Sequence, residues 1–330
     1  MTPAPAEGGT RMAGEAPRVA PAGPARASAH ARVAPRRRGS ARDRATALLF
    51  LAPSLLVFAT FVFYPLARSI YLSFFANDLL GAPVAFVGFE QYLRIVTDPR
   101  FAQVMTTTAW FVVLTVIPSI AIGLGLALLV RPKIAGIGLF RTLLATPFAF
   151  SAAAAAVVFD VFYRPGIGLF NGLLSYIGVP PVDWLTSPAA ALPSLALAVV
   201  WRHAGYTMLV CLAGLESIPD ALYEASRIDG ASRLAQFRYI SLPLLTPTLF
   251  FLAVISTIHA LQTFGEIKIL THGGPAGTTT TLVYSLYETA FGLGSSDYGL
   301  ASAQGVLLML IVLVITVVQF RVLGRRVFYA

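Results

Sequence analysis

The sequence predicts an all-α fold: a polytopic membrane bundle of six transmembrane helices, with a short helix outside the membrane and both termini in the cytoplasm. Composition is the first observation, because 57% of the 330 residues are hydrophobic and only 12% are charged, against about 25% in an ordinary soluble domain. The second is that the apolar residues form long blocks with almost no Asp, Glu, Lys or Arg. The third is that most positive charges flank these blocks on alternate sides, as in multi-pass membrane proteins.

Six blocks are long enough to span a membrane, since about 18 to 20 apolar residues cross about 30 Å of hydrocarbon as a helix. The predicted spans are approximately residues 46–67, 103–130, 142–162, 190–214, 244–267 and 299–321, within a transmembrane domain of residues 45–326. Several prolines within spans can supply kinks, among them Pro118, Pro147 and Pro193. The uncharged run between Lys268 and Glu288 is predicted to be a loop, because it contains Thr271-His272-Gly273-Gly274-Pro275 and four consecutive threonines.

The positive charges predict the orientation of the spans. Residues 1–46, the links after the second and fourth spans, and the C-terminal tail together hold 18 of the 24 Lys and Arg residues. Positive residues are concentrated in the cytoplasmic loops of membrane proteins. Both termini and the link of residues 216–243 are therefore predicted to be cytoplasmic.

Residues 1–44 are predicted to be a disordered cytoplasmic tail. They are rich in Arg, Pro, Ala and Gly and have almost no large apolar side chains, so that they cannot bury enough surface to offset the entropy of ordering. Attraction to anionic lipid headgroups explains their positive charge more simply than nucleic-acid binding does. No nucleic-acid partner is therefore predicted.

The sequence lacks the motifs of several kinds of catalytic site. Its two lysines, Lys133 and Lys268, follow Pro132 and Ile267, so that no Gly-Lys-Ser/Thr phosphate-binding loop is present. The four histidines lack the spacing of a metal site, and no Gly-x-Ser-x-Gly nucleophile motif occurs. We therefore predict no catalytic residue, no metal site and no cofactor bound by this chain. Any ATP used in transport would be hydrolysed by another subunit.

The link of residues 216–243 is predicted to form a helix, a turn and a second short helix. Pro219 suits the first position of a helix, and Gly230 suits the left-handed conformation that ends one. Ser232 would then cap a second helix that runs to about Tyr239. Two interpretations remain open: an amphipathic element that lies on the lipid surface, or a knob that enters a groove on a partner protein.

The residues of this link resemble the EAA loop of permease subunits in binding-protein-dependent ABC importers. The matching positions are Glu224, Ala225, Ser226, Asp229, Gly230, Ala231, Phe237 and Pro243. Ser226 stands where the family usually has Ala, and so small a replacement weakens the match little. The resemblance implies that the loop carries the coupling helix, which docks into a cleft of a separate cytoplasmic ATPase.

The resemblance extends over about residues 46–325 and includes features of the carbohydrate-uptake branch. The segments Phe86-Val87-Gly88-Phe89-Glu90-Gln91-Tyr92 and Thr271-His272-Gly273-Gly274-Pro275 are similar to motifs of that branch. The implied solute is maltose, another sugar or oligosaccharide, or glycerol 3-phosphate. The implied location is a bacterial-type inner membrane. The implied partners are membrane lipid, a second and different permease subunit, two ATPase subunits that bind ATP and Mg²⁺, and an extracytoplasmic solute-binding protein.

Polar residues inside the fourth and fifth spans are candidates for contact with the solute. A polar or ionisable side chain in a span is costly, and therefore tends to face protein or a wet cavity. The candidates are Gln262, Thr263, His259, Tyr206, Ser256, Glu266 and Arg202. Those at positions 259, 262, 263 and 266 are predicted to share one face of a helix, because they recur at intervals of three or four residues.

Alternative interpretations of these residues and of the whole chain remain open. Arg202 could pair with Glu266 in a structural contact, or it could select an anionic solute such as a phosphorylated polyol. A second class of function is a secondary transporter that is driven by an ion gradient and acts without an ATPase. Such carriers usually contain internal repeats with paired discontinuous helices, and the sequence has no convincing repeat of this kind.

Overall fold

The computed structural model describes residues 41–78, 81–132, 134–292, 296–322 and 324. The chain divides into two units, residues 1–57 and residues 58–330. Nearly all of the predicted disordered tail, residues 1–40, lies outside the described residues. The described part of the first unit is helical and belongs to α1 (Ala41–Phe58). Residues 41–44, which the prediction assigned to the tail, belong to this helix.

The second unit is predominantly helical, as predicted. In chain order its helices are α2 (Tyr64–Leu72), α3 (Glu90–Thr97), α4 (Phe101–Val130), α5 (Ile137–Ala145), α6 (Ala152–Tyr163), α7 (Leu169–Tyr176), α8 (Ala191–Glu216), α9 (Asp220–Ile228), α10 (Arg233–Gln236), α11 (Leu242–Leu244), α12 (Thr246–Leu261), α13 (Gly265–Leu270), α14 (Leu282–Phe291) and α15 (Tyr298–Val322). Ala59–Phe63 and Phe237–Ser241 are π-helical, and Thr146–Ala149 is a 3₁₀ segment.

Four helices in the described ranges are long and apolar enough to cross a membrane: Leu48–Leu72, Phe101–Val130, Ala191–Glu216 and Tyr298–Val322. Two further candidates are bent pairs, Ile137–Ala149 with Ala152–Tyr163 at 98°, and Arg233–Leu244 with Thr246–Leu261 at 64°. The number of spans is therefore four, or up to six if each bent pair is one span. The third and fifth predicted spans are interrupted and do not form single straight helices.

One small sheet departs from the predicted all-α fold. β1 (Phe75–Asn77) and β2 (Pro83–Phe86) pair antiparallel. In the turn between them the Ala82 N–H donates to Asp78 Oδ1 at 2.8 Å, and Gly81 has a φ of +83°. The all-α prediction is wrong in this detail, because strands of three and four residues are too short to give a periodic signal.

The predicted loop after the fifth span is a loop only in its first half. Residues 271–281 are non-helical, whereas the run that follows has neither Gly nor Pro and forms α14. Both the loop and the first residue of α14 are attached to α4. The Leu282 N–H donates to Thr108 Oγ1 at 3.0 Å, and Gln103 Nε2 donates to the Ala276 carbonyl at 3.0 Å.

α8 is the central helix of the second unit. It packs against α4, α5, α6, α12 and α13. Small residues allow the closest approaches: a Cβ added to Gly123 of α4 would lie 2.6 Å from Thr207 Cβ, and one added to Gly205 would lie 3.0 Å from Ala145 Cα. The polar residues of α8 are therefore surrounded largely by other helices of this unit.

Candidate functional site

Residues 216–243 form the predicted helix, turn and second helix. α9 ends in a turn in which Gly230 has a φ of +78°. A left-handed glycine just beyond the last helical residue is a common way to end a helix. Ser232 caps α10, because its Oγ accepts a hydrogen bond from the Ala235 N–H at 3.3 Å.

Two details of the link differ from the prediction. Pro219 is the N-cap residue, and the first helical residue is Asp220. The second helix does not end near Tyr239, because α10 continues through the π-helical segment Phe237–Ser241 into α11, and from there into α12 at the 64° bend. A π-helical segment accommodates an extra residue without ending the helix. The hairpin and the fifth span therefore form one bent element.

α9 presents most of its side chains on the surface. Glu224, Ala225 and Asp229 are exposed, and Ile228 has 88% of its surface exposed. Tyr223 is the exception, at 7%. The other motif residues are exposed at Gly230 and half-buried at Ser226, Ala231, Phe237 and Pro243. The centre of the EAA-like motif is therefore accessible to a partner.

A cleft of about 1270 Å³ lies between α9, the end of α4 and the segment that leads into α11. Its charged lining residues are Arg131, Glu216, Asp220, Glu224, Arg227 and Arg233. At the edge of the cleft, Arg141 Nη1 lies 3.0 Å from Glu216 Oε1. The other terminal nitrogen, Arg141 Nη2, donates to the Val130 carbonyl at 3.0 Å. Arg141 therefore connects the end of α4 to the end of α8.

Arg202 and Glu266 form a buried ion pair between α8 and α13. Arg202 Nη2 lies 2.7 Å and Nε 2.9 Å from the same oxygen, Glu266 Oε1. The two side chains are 17% and 2% exposed. A buried charge requires a partner of this kind. The pairing of Arg202 with Glu266 that the structural alternative requires is therefore present in the structure.

The predicted polar stripe on the fifth span does not form one helical face. α12 ends at Leu261 and α13 begins at Gly265, so that Gln262 and Thr263 lie in a break. Thr263 is buried and donates to the His259 carbonyl at 2.9 Å, whereas Gln262 is exposed. At the break, the start of α13 lies close to the start of α6, since a Cβ added to Gly265 would lie 3.1 Å from Ala152 Cβ.

The remaining candidates have different surroundings. The Tyr206 ring lies 5.2 Å from the ring of Phe148, and the His259 ring lies 5.6 Å from that of His203. Ser256 lines a cavity of about 10 Å³ that also contacts both histidines, which is about the space of one water molecule. No group of three or more His, Cys, Asp or Glu side chains that could hold a metal ion occurs in the described ranges.

The bend in the third span exposes an aromatic side chain that the sequence did not single out. The 98° bend follows Thr146–Ala149, and Phe148 has 47% of its surface exposed beside Tyr206. Pro147 was the available signal, but it lies inside the 3₁₀ segment, and the bend comes after that segment, at residues 150–151. Non-helical backbone at membrane depth requires protein or a wet cavity beside it. Phe148 and Gln262 therefore lie at helix interruptions, and Tyr206 lies beside Phe148.

The chain is similar in sequence to known transport proteins. Residues 137–329 match the family described as "Binding-protein-dependent transport system inner membrane component". The chain is 34% identical to the sulfoquinovosyl glycerol transport system permease protein SmoG of Agrobacterium fabrum, over 86% of this chain and 92% of the relative. It is 38% identical to the sn-glycerol-3-phosphate transport system permease protein UgpA of Brucella abortus, over 85% and 95%. It is 35% identical to the trehalose/maltose transport system permease protein MalF of Thermococcus litoralis, over 86% and 95%.

Solved structures are similar over the same length. A chain of a bacterial ABC transporter involved in the import of the acidic polysaccharide alginate has a TM-score of 0.73 and 27% identity, over 86% of this chain and 96% of that one. A structure of the bacterial alginate transporter in complex with an alginate pentasaccharide-bound periplasmic protein has a TM-score of 0.72 and 26% identity, over 85% and 94%.

Proposed function

The chain belongs to the family of inner membrane components of binding-protein-dependent transport systems, and from this membership we propose how it works. It is a permease of a binding-protein-dependent ABC importer, and its relatives give no support to a secondary transporter driven by an ion gradient. In our proposal it forms half of the membrane pathway for a sugar or oligosaccharide. A separate ATPase drives it through the link of residues 216–243.

The proposed complex has the composition that the family resemblance implies. A second, different permease subunit completes the pathway, and two ATPase subunits bind ATP and Mg²⁺. An extracytoplasmic solute-binding protein delivers the solute to the complex in a bacterial inner membrane. The periplasmic protein in the alginate transporter structure supports this arrangement. In this scheme the present chain binds no cofactor.

The observation that carries the docking role is the exposed face of α9. Ile228 is 88% exposed and shares a face with the exposed Glu224, four residues earlier, and Leu222 is 45% exposed elsewhere on the helix. An apolar tip beside a carboxylate suits a protein groove that offers apolar contact and a basic group. A different side of the helix is fixed to the bundle through Tyr223, which is buried.

The alternative position, on the lipid surface, fits the charges of α9 less well. Amphipathic helices that lie on membranes are usually rich in Lys and Arg on the polar face. The segment of residues 220–229 has Asp220, Glu224 and Asp229 but only Arg227 as a basic residue. The anionic cytoplasmic leaflet would repel such a segment. The charge balance therefore favours a protein partner.

The proposed solute is a neutral sugar or oligosaccharide. The names of the relatives refer to sulfoquinovosyl glycerol, sn-glycerol 3-phosphate, trehalose and maltose, and all of these solutes carry several hydroxyl groups. Gln262 and Tyr206 offer neutral donors and acceptors for hydroxyl groups. Arg202 is paired with Glu266 and offers no free positive charge to a phosphate. This pairing favours a neutral solute over a polyol phosphate.

Photo-cross-linking tests the docking role. Ile228→p-benzoylphenylalanine is expected to trap a cytoplasmic polypeptide that hydrolyses ATP. The matched control is Tyr176→p-benzoylphenylalanine at the end of α7, where the side chain is 90% exposed, and it should not trap this polypeptide. Products at position 228 that contain only lipid would contradict the proposal and favour the lipid-surface alternative.

A further inference from the structure

Tyr223 occupies an unusual position on the helix proposed to dock the ATPase. It is the one buried residue of α9 in the part of the chain that the structure describes, although its neighbours Leu222 and Glu224 are exposed. Its ring belongs to the apolar cluster that includes Met208, Leu215 and Leu245. The side chain of Tyr223 therefore attaches α9 to the core of the bundle.

Two specific contacts join the Tyr223 side chain to different helices. Its hydroxyl lies 2.9 Å from the Ser241 hydroxyl, and the pair is buried. The Arg131 guanidinium lies over the ring, 4.2 Å from its centroid. A buried hydroxyl without a partner is costly, and a cation over an aromatic face is attracted to it. Both contacts therefore hold the ring in one position.

The two partners stand at the ends of helices that would have to move. Ser241 is the last residue of the π-helical segment, just before the 64° bend into α12. Arg131 directly follows α4, and the last carbonyl of that helix, at Val130, accepts from Arg141. Arg141 also pairs with Glu216 at the end of α8. The Tyr223 side chain thus contacts the fifth span directly, and it lies beside the ends of α4 and α8, which Arg141 connects.

We propose that Tyr223 is the positioning residue that transmits a displacement of α9 to the fifth span, through the hydrogen bond between its hydroxyl and Ser241. This inference rests on the proposed docking of an ATPase on α9. The apolar ring keeps α9 seated, and the hydroxyl fixes its register against the π-helical segment. The break at Gln262 lies at the far end of the same span.

The alternative is that Tyr223 only fills space in the core. The two roles differ in what the hydroxyl does, because Tyr223→Phe keeps the packed ring and removes a single polar atom. Tyr239→Phe is a matched control, since Tyr239 is in the same hairpin and is 74% exposed. Ser241→Ala removes the other side of the hydrogen bond and should reproduce the effect of Tyr223→Phe.

A single-thiol reporter measures transmission without knowledge of the solute. Cys211 is the one cysteine of the sequence, so that Gln262→Cys in a Cys211→Ala background gives one thiol in this chain. The complex is purified through a tag on this chain and placed in proteoliposomes. A charged methanethiosulfonate reagent then labels the thiol, with and without ATP and vanadate, and mass spectrometry of this chain gives the two rates.

We expect the two labelling rates to differ in the parent and in Tyr239→Phe. In Tyr223→Phe and Ser241→Ala, the ratio of the faster to the slower labelling rate should fall by about two- to tenfold, while ATP hydrolysis continues. This factor corresponds to the free energy of one hydrogen bond. The double variant should lose no more than either single variant, because both remove the same bond.

Three other results would overturn the inference in distinguishable ways. An unchanged ratio in Tyr223→Phe, with the ATPase still in the complex, would refute transmission and leave the proposed function intact. Loss of assembly in Tyr223→Phe would assign the hydroxyl a structural role only. A parent complex that contains no ATPase would refute the proposed function, and the inference with it.

Discussion

The ion pair between Arg202 and Glu266 can be tested by breaking it and then replacing it. At 2.7 Å, two unit charges attract each other by about 6 kcal/mol at an effective dielectric constant of about 20. Much of this attraction offsets lost hydration, because the Glu266 side chain is only 2% exposed. Glu266→Ala and Arg202→Ala should each lower the free energy of unfolding by about 3 to 5 kcal/mol, since each leaves one charge buried without a partner.

The double variant Arg202→Met with Glu266→Leu should recover most of this loss, because a packed apolar pair is often as stable as a buried ion pair. SDS titration of the purified chain measures the free energy of unfolding, and transport in proteoliposomes is measured in parallel. The control is Asp160→Ala, which breaks an exposed pair with Arg164 and should cost less than about 1 kcal/mol. The reasoning would be refuted if the double variant lost as much free energy of unfolding as the two single variants lose together. Recovered stability without recovered transport would show that the charges also act on the solute.

Three further predictions concern single positions. Gly123→Ala should lower the free energy of unfolding by about 1 to 3 kcal/mol through overpacking, because the new Cβ would lie 2.6 Å from Thr207 Cβ. Gly125→Ala is the control: its new Cβ would meet no atom within 4 Å, so the free energy of unfolding should be nearly unchanged in the same SDS titration. Gly230→Ala meets no atom within 4 Å but must adopt a φ of +78°, so it should cost about 1 kcal/mol and lower solute-stimulated ATP hydrolysis; unchanged stimulation would contradict a rigid turn. Gln262→Ala should raise the KM of sugar transport in proteoliposomes, because its exposed side chain lies at a helix break, and an unchanged KM would remove it from the solute path.

Features that depend on local sequence were predicted well. The uncharged block at 103–130 became Phe101–Val130, and the block at 190–214 became Ala191–Glu216. Gly230 and Ser232 end and begin helices as expected, because left-handed glycine and N-cap serine act within a few residues of their own position. The same applies to the hairpin of residues 216–243, whose motif is contiguous in sequence.

Features that depend on contacts between distant segments were not predicted. The spacing of His259, Gln262, Thr263 and Glu266 fits a continuous helix, yet the fifth span breaks there. The close approach of Gly265 to Ala152 joins parts of the chain that are far apart in sequence, so that no local pattern reveals it. The burial of Tyr223 is hidden in the same way, because α9 alone does not show which side faces the bundle.

α4 is a continuous helix from Phe101 to Val130, and its length is roughly 45 Å at 1.5 Å per residue. Near one end of α4, Gln103 bonds the glycine- and threonine-rich loop, and Thr108 bonds the first residue of α14. Arg131 follows the other end and rests on the Tyr223 ring. A load applied to that loop would therefore reach the underside of α9 along a single helix, without crossing a joint between domains. The loop of residues 271–281 and α9 are therefore connected by one helix, and an insertion or deletion in α4 would displace both.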